Sequence, residues 1–437
     1  MAQATGDRHA VEALQAAWAR SDQLFELLTP DALLVRPIPL RQPVLFYLGH
    51  LPAFACNQVW CGALGRPRFN ATFDALFERG IDPPDDGSFV ADDAASWPSP
   101  DDIVAYRDRV RATLLESLGA PELSDVVRMV VEHELMHHET LMYMMLQLPA
   151  AMKVRPAGLP PRACLPPPAP KRATVPGGRV VLGAPRDGRF GWDNEFPEWA
   201  VDVASFGIDT LPVTNRDFLA FVEAGGYGER ALWSADGWRW RTRQAVSRPS
   251  FWRGGEGSLA VATLFEDVPF GAAAEWPVYV THAEATAYAR WKGARLPTEA
   301  EFHRAAFGGP GAARREHPWG DEPPTANHGN LGFTGWEPTP VGTHMAGRSA
   351  FGVHELVGNG WEWTATPFRP FPGFATDRRY PGYSADFFDE RHFVLLGGSW
   401  ATDLRLVRRS FRNWFQPHYP YVFAKFRCVW SADEARA

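Results

Sequence analysis

Over the first 150 residues, apolar side chains recur three and four positions apart, which is the spacing of one face of an α-helix. Leu14 and Trp18 show this spacing near the start, and Val127 and Val130 show it near the end. The pattern predicts helices over residues 8–28, 43–64, 71–79, 100–118 and 123–148. Helices that each carry an apolar face bury it by packing together, so residues 1–150 are predicted to form a helical bundle.

Residues 151–176 interrupt this pattern with a run of prolines: Pro156, Pro160, Pro161, Pro166, Pro167, Pro168, Pro170 and Pro176. Proline has no backbone N–H and a fixed φ, so it is poorly tolerated inside helices and sheets. We therefore predict that this segment is an extended linker between two domains.

From residue 177 to residue 437 the pattern changes to short, irregularly spaced segments. It predicts two helices and two strands, at residues 215–223, 282–292, 179–182 and 393–396. Thr214 and Thr281 directly precede the two helices and are candidate N-caps. The chain contains 18 Trp and 29 Phe residues, many of them in this half. We predict a loop-rich α+β domain that aromatic side chains hold together.

Composition limits the classes of function that the chain can have. A length of 437 residues favours two domains, and a net charge of −7 argues against a nucleic-acid or anionic-membrane partner. The sequence has no apolar run of the roughly 18 residues that a membrane helix needs and no secretory leader, so we expect a cytoplasmic enzyme. The four cysteines show neither zinc-ligand spacing nor a disulfide framework, which fits a reducing compartment.

Two histidines four residues apart, His133 and His137, lie on one face of the last predicted bundle helix. Such a pair can hold one metal ion, and His50, on the second predicted helix, is the candidate third ligand. Three protein ligands would leave coordination positions open for substrate and oxygen, which is typical of a catalytic metal site. His138 is five residues from His133 and points away from that face.

The same residues match the His-Glu-x-x-His pattern of zinc peptidases, in which Glu134 would be the general base. A peptidase needs a further ligand at a suitable distance. The metzincin continuation is absent after His137, and no acidic residue occurs between Glu139 and Asp187. The sequence therefore disfavours a peptidase, while a chance pair of helical histidines without a metal stays an alternative.

A series of motifs in the second half has the order and spacing of a known family: Asp193-Asn194-Glu195-Phe196-Pro197, Pro212-Val213-Thr214-Asn215, Gly225-Gly226-Tyr227, Pro277-Val278, Arg295-Leu296-Pro297-Thr298-Glu299-Ala300-Glu301, Gly358-Asn359-Gly360-Trp361-Glu362-Trp363, Gly397-Gly398-Ser399-Trp400 and Phe426-Arg427-Cys428. This half resembles the formylglycine-generating-enzyme fold, a C-type-lectin-like α+β domain. The first half, with His50, His133, His137 and Glu139, resembles a DinB-like four-helix bundle.

The two parts in this order resemble the ergothioneine-type sulfoxide synthases and their relatives, the ovothiol and selenoneine synthases. The resemblance implies a non-haem iron(II) enzyme with O2 as co-substrate. Such an enzyme joins sulfur or selenium, from a thiol or selenol donor, to an imidazole carbon of hercynine, the betaine of histidine. The resemblance assigns the iron ligands to His50, His133 and His137, and it gives Glu139 the role of orienting an imidazole.

The resemblance also assigns residues of the second domain. Tyr380, with Tyr383 beside it, matches the loop that carries the catalytic tyrosines, where a phenol would donate a proton to reduced oxygen. Asn413 and Trp414 match the family's substrate-binding pair, in keeping with the preference of a trimethylammonium group for aromatic faces. Arg412 is either a further substrate contact or part of a buried ion pair.

Three features depart from the family members that use γ-glutamylcysteine. Phe415, in the substrate-binding region, stands where an acidic residue follows the Asn-Trp pair. Met136 stands where Gln is usual, so a polar contact in the imidazole-substrate pocket is lost. A basic run in the bundle is replaced by acidic segments at 82–86 and 92–93. Such segments would repel an anionic peptide. The departures favour a neutral donor such as a sugar-borne selenol, so the closest resemblance is to selenoneine synthase. Sulfoxide synthases that use cysteine or γ-glutamylcysteine are the alternative.

Other classes of protein fit less of the chain. A formylglycine-generating enzyme needs a cysteine pair in its domain, whereas residues 177–437 contain only Cys428. A DinB-type thiol transferase that uses zinc would leave the second domain without a role. A non-catalytic lectin-like binding protein is the alternative of another class, and the presence of all three histidines argues against it.

Overall fold

The computed structural model describes residues 2–78, 97–118, 123–166, 169, 171–255, 257–309 and 314–431. The chain divides into two compact units, Met1–Ala157 and Gly158–Ala437. Among the described residues, no helix combines the length and the apolar character that crossing a bilayer requires.

The first unit is helical, as predicted. Its helices are α1 (Ala2–Phe25), α2 (Val44–Ala55), α3 (Ala71–Leu76), α4 (Pro100–Ser117) and α5 (Ser124–Leu146). Helix α2 continues as a π-helical segment, Cys56–Ala63, which accounts for the rest of the predicted helix 43–64. Helix α5 packs against α1 and α2, and α2 also packs against α4.

Helix α5 lies at the centre of the first unit. From Met129 to Leu146 its side chains are buried, and Met136 is the exception. A helix that is buried on all sides lies in the interior of its unit. The histidines that α5 carries are therefore removed from bulk water.

The second unit combines short helices with small sheets, which confirms the predicted α+β class. The helices are α6 (Asn215–Glu223), α7 (Ala235–Arg243), α8 (Phe270–Ala273), α9 (His282–Trp291) and α10 (Glu299–Phe307). The strands are β1 (Arg172–Val175), β2 (Gly178–Leu182), β3 (Trp199–Val203), β4 (Phe206–Asp209), β5 (Trp252–Arg253), β6 (Ala260–Ala262), β7 (Asp267–Pro269), β8 (Trp361–Pro367), β9 (Phe393–Leu396), β10 (Asn413–Phe415), β11 (Ala424–Lys425) and β12 (Val429–Ser431). The described strands pair in the orders β1-β4-β12, β10-β9-β8-β11, β2-β3 and β5-β6-β7.

The helices α6 and α9 confirm the two helices predicted for this unit, with Thr214 and Thr281 as their N-caps. The expectation that helices are otherwise nearly absent was wrong, because α7 and α10 also form. Helix α10 follows Thr298, which forms a capping box with Glu301. That box is visible in the sequence, so capping residues were a better guide here than apolar spacing.

Part of the predicted linker is ordered on the second unit. Residues 172–175 form the edge strand β1, which pairs antiparallel with β4; this is possible because none of them is a proline and each keeps its backbone N–H. Further upstream, Arg162 binds Glu337 at 2.7 Å and Glu266 at 2.9 Å. These contacts explain why the compact second unit begins before the predicted boundary at residue 177.

Three charged side chains are fully buried where β8 and β11 meet. Glu362 accepts a hydrogen bond from Lys425 Nζ at 2.7 Å and another from Arg427. Burial alone would raise the pKa of Glu362, but the charges of Arg427 and Lys425 outweigh it and hold the pKa below its ordinary value. This carboxylate therefore contributes stability that is present above pH 4.5 and is lost as the pH falls through the lower folded pKa.

The variant Glu362→Gln is expected to lower the free energy of unfolding by about 3–5 kcal/mol, because it leaves two buried cations without a counter-charge. Urea-induced unfolding followed by tryptophan fluorescence measures the change. Glu390→Gln is the control, since Glu390 pairs with Arg369 at the surface, where solvent screens the pair and it contributes little to stability. If the two substitutions lowered the free energy of unfolding equally, the buried ion pairs of Glu362 would not be a particular source of stability.

Candidate functional site

The predicted ligands His50, His133 and His137 come together inside the first unit. Helix α2 supplies His50, and α5 supplies the other two, one turn apart. One ligand atom from each residue lies within 4.8 Å of the others, and the ring centroids are 4.3–5.1 Å apart. In the described part of the chain, no other group of three such side chains is arranged in this way.

Backbone contacts determine which ring nitrogen is left for a metal. His50 Nδ1 lies 2.7 Å from the carbonyl oxygen of Phe77, and His137 Nδ1 lies 2.9 Å from that of His133. A carbonyl oxygen can only accept, so each Nδ1 carries the proton and each Nε2 keeps its lone pair. Both Nε2 atoms are buried without a hydrogen-bond partner. Such a lone pair is costly to bury unless something binds it, and a metal ion would do so.

The environment keeps the three imidazoles neutral. Burial lowers the pKa of His50 to about 4 and lowers the pKa of His133 and of His137 well below the ordinary value. Phe54 stacks on His133 with ring centroids 3.5 Å apart, and Phe46 stacks on His50 at 5.0 Å. Neutral imidazoles are the form that binds metals, and three of them suit a divalent transition metal such as iron(II).

Glu134 and His138 turn away from this cluster. The Glu134 carboxylate accepts a hydrogen bond from Ser21 of α1 at 2.5 Å, and burial raises its pKa to about 7. Ser21 also lies 2.8 Å from Nε2 of His138. Because both side chains are engaged on the α1 side of the helix, Glu134 does not serve as a general base beside the metal and His138 does not replace a ligand. The peptidase alternative therefore lacks its base.

Met136 and Glu139 lie next to the ligands along α5. Met136 is half-buried and stands three residues after His133, on the same face, so within the buried stretch Met129–Leu146 the helix is partly uncovered beside the cluster. Glu139 is buried. Backbone carbonyls already bind Nδ1 of His50 and of His137. The predicted role of Glu139 in orienting an imidazole therefore concerns His133 and stays a prediction.

In the second unit, the predicted tyrosines lie in the loop between β8 and β9. The rings of Tyr380 and Tyr383 are 5.8 Å apart. Tyr383 stacks on Trp192 at 3.9 Å and meets Trp414 edge-on at 5.4 Å. Burial raises the pKa of Tyr380, so its phenol is protonated at neutral pH. The four side chains form one aromatic cluster, and Trp192 is the member that the sequence analysis missed.

A second connection ties the tyrosine loop to the segment that contains Trp192. Asp193 accepts hydrogen bonds from the Ser384 hydroxyl and from the backbone N–H of Asp377, the latter at 3.4 Å. From the sequence alone, the motif that begins at Asp193 indicated only the resemblance to the family and had no assigned role. Through these contacts the motif holds the tyrosine loop in place. Trp192 directly precedes the motif in the sequence, and this position could have identified Trp192 as a member of the aromatic cluster.

The predicted substrate residues form the edge strand β10, whose successive side chains point to opposite faces. Trp414 stacks on Phe368 at 4.2 Å, on the face of the tyrosines. Asn413 and Phe415 share the other face, where Phe415 stacks on Tyr419 at 5.1 Å. The Asn-Trp pair is therefore divided between the two faces of the strand.

Arg412 is a member of a buried ion pair. Its Nε lies 2.8 Å from Oε1 of Glu299, and both side chains are under 5% exposed. The guanidinium also donates to the carbonyl oxygens of Asn194 and Arg369, at 3.2 and 3.1 Å. These protein contacts favour the structural interpretation of Arg412 over a substrate contact.

Of the sequence features from which the donor was predicted, the structure describes Phe415 but not the acidic segments. The acidic segments at 82–86 and 92–93 lie outside the described residues. Phe415 is half-buried beside Tyr419, and Tyr419 meets Tyr421 edge-on at 5.1 Å. The three rings form a row of uncharged aromatic side chains.

Comparison with known proteins finds relatives for both units. Residues 157–432 match the family of sulfatase-modifying factor enzyme 1-like domains, and residues 13–141 match the DinB superfamily. The chain is 38% identical to hercynine oxygenase of Mycolicibacterium thermoresistibile over 91% of this chain and 90% of that protein. It is 40% identical to hercynine oxygenase of Mycobacterium tuberculosis over 76% of this chain and 78% of that protein. It is 31% identical to ergothioneine biosynthesis protein 1 of Neurospora crassa, over 95% of this chain and 57% of that protein.

Proposed function

Because the chain belongs to the ergothioneine and ovothiol sulfoxide synthase superfamily, we propose that it is an iron(II)- and O2-dependent enzyme that joins a chalcogen atom to the imidazole ring of hercynine. The observation that carries this proposal is the cluster of His50, His133 and His137. It consists of buried, neutral imidazoles that each bring one ligand atom within 4.8 Å of the others, and two of them have an Nε2 without a hydrogen-bond partner. The hercynine oxygenases among the relatives support the choice of hercynine as substrate.

Iron(II) held by the three histidines would supply open coordination positions for hercynine, the chalcogen donor and O2. The protein itself fixes the tautomers of His50 and His137 through backbone carbonyls. Phe46 and Phe54 cover the imidazoles and exclude water, which strengthens every electrostatic interaction at the site. These residues prepare a site that binds a metal without first having to lose protons.

We assign proton donation to the phenol Oη of Tyr380. Its raised pKa keeps the phenol protonated at neutral pH, so the proton is available for transfer to reduced oxygen. Tyr383, held between Trp192 and Trp414, supports the loop. Oδ1 of Asn413 accepts a hydrogen bond from the backbone N–H of Trp414 at 2.9 Å, which leaves the side-chain NH2 group to donate elsewhere. For its acceptor we propose the hercynine carboxylate.

For the donor we propose a neutral, sugar-borne selenol, which would make the enzyme a selenoneine synthase. Phe415 supports this choice because its ring, stacked on Tyr419, suits the apolar face of a sugar and cannot pair with the ammonium group of γ-glutamylcysteine. The second candidate is a sulfoxide synthase that uses cysteine or γ-glutamylcysteine. It is favoured by the names of the relatives, which are hercynine oxygenases and an ergothioneine biosynthesis protein.

Anaerobic loading with iron(II), followed by hercynine, O2 and one donor at a time, tests the proposal. The donors are a selenosugar, γ-glutamylcysteine and cysteine, and mass spectrometry identifies the product. A carbon–selenium product with the selenosugar alone is expected. Turnover of γ-glutamylcysteine instead would identify the second candidate. Hercynine binding without any product, in protein shown to contain iron, would indicate a binding protein.

The variant Phe415→Asp is expected to lower kcat/KM for the selenosugar by about tenfold, because it removes a ring stack and adds a charge. Most of the loss should lie in KM, since Phe415 is assigned to donor binding. Trp199→Ala is the control, because Trp199 is an exposed aromatic residue of β3 outside this row. An unchanged KM in Phe415→Asp would exclude the donor role of this residue.

A further inference from the structure

Ser21 occupies a central place between α1 and α5. Its side chain is 1% exposed, and its hydroxyl lies 2.5 Å from Oε1 of Glu134 and 2.8 Å from Nε2 of His138. Glu134 and His138 are one helical turn apart on α5. Each of them directly follows one of the two metal-ligand candidates on that helix, His133 and His137.

The three side chains form a directed hydrogen-bond chain. The Ser21 hydroxyl donates its proton to the Glu134 carboxylate. The Ser21 oxygen can then only accept from His138, so His138 carries a proton on Nε2. With His138 fully buried and Ser21 nearly so, no substrate reaches the serine oxygen, which excludes a nucleophilic Ser-His-Glu triad.

The bridge joins α1 to two successive turns of α5, a position from which it can oppose rotation of α5 about its own axis. Among the described helices, α1 and α5 form the most extensive helix–helix contact of the first unit. Ser21 holds two successive turns of α5 from one point on α1, and two such contacts fix a helix against rotation. A turn of about 20° would move an imidazole nitrogen, some 6 Å from the axis, by about 2 Å. That displacement is about the length of a metal–nitrogen bond.

We propose that Ser21 is a positioning residue of the three-histidine site: by bridging Glu134 and His138, it sets the angle at which α5 presents His133 and His137 to the metal. This role rests on the proposed function, which requires a metal at that site. It adds a set of contacts on the α1 side of α5, at the residues that directly follow the two ligand candidates. Contacts that orient ligands in this way commonly change metal affinity 10- to 100-fold when they are removed.

Titration of the full-length, metal-free protein with Co(II) alone tests the proposal, because the visible absorption of Co(II) reports the geometry of its ligands. Ser21→Ala is expected to weaken Co(II) binding at least about tenfold and to change the position or intensity of the absorption bands. Ser21→Thr, which keeps the hydroxyl, is expected to restore most of the affinity and the bands. Ser124→Ala is the matched control, because Ser124 lies half-buried at the start of α5, away from the bridge.

Thermal unfolding separates this role from a purely structural one. If Ser21→Ala unfolds at a lower temperature but binds Co(II) with wild-type affinity and absorption, the positioning role is excluded. Should Ser21→Ala fail to fold, Ser21→Cys keeps the size of the side chain with a weaker donor and is expected to show a smaller change in the same direction. A wild-type protein that binds no Co(II) would overturn the metal site and this proposal together, whereas equal binding by all variants would overturn only the role of Ser21.

Discussion

The variant His137→Ala is expected to lose bound iron(II) and to lower turnover of hercynine by on the order of 10³-fold or more. In the wild-type protein the Nε2 lone pair of His137 is buried without a partner and can bind the metal. After the substitution, His50 and His133 still have ring centroids 5.1 Å apart, but two imidazoles hold a divalent ion far less tightly than three. Elemental analysis after anaerobic loading measures the iron, and mass spectrometry measures the product.

His9→Ala is the matched control, because the side chain of His9 is 73% exposed on α1 and has no contact with the cluster. It is expected to keep the iron content and the activity of the wild-type protein. A His137→Ala protein with a full complement of iron would show that the metal lies elsewhere. Iron retained but activity lost would indicate that His137 acts on the substrate and not as a ligand.

Removal of the phenol oxygen of Tyr380 is expected to cause a second large loss of activity. Tyr380→Phe should lower kcat by about 10²–10⁴-fold, the usual contribution of a positioned proton donor, while iron content and the KM for hercynine change little. The ring stays in place beside Tyr383, so the packing of the loop is kept. Steady-state kinetics with the active donor, together with analysis of side products, measures the change.

Two further substitutions show whether the effect is specific. Tyr288→Phe removes a buried phenol oxygen from α9 and is expected to leave kcat unchanged. Tyr383→Phe is expected to lower kcat by less than about tenfold, because Tyr383 supports the loop through its ring contacts with Trp192 and Trp414. A larger loss in Tyr383→Phe than in Tyr380→Phe would reverse the two assignments.

The sequence by itself determined the features that depend on local geometry. The spacing of apolar residues located the bundle helices, because one face of a helix repeats every 3.6 residues. The same geometry placed His133 and His137 on one face of α5. Thr214 and Thr281 marked the starts of α6 and α9, because an N-cap bonds to a backbone N–H only three residues away.

The tertiary structure alone decided which distant side chains meet. His50 reaches the pair on α5, and its tautomer depends on the carbonyl of Phe77, because α2 and α3 pack together. Ser21 lies 113 residues from Glu134 in the chain, yet its hydroxyl binds that carboxylate on the α1 side of α5, away from the three histidines, and this removes the peptidase alternative. No local pattern encodes such contacts, because they depend on the packing of all the elements at once.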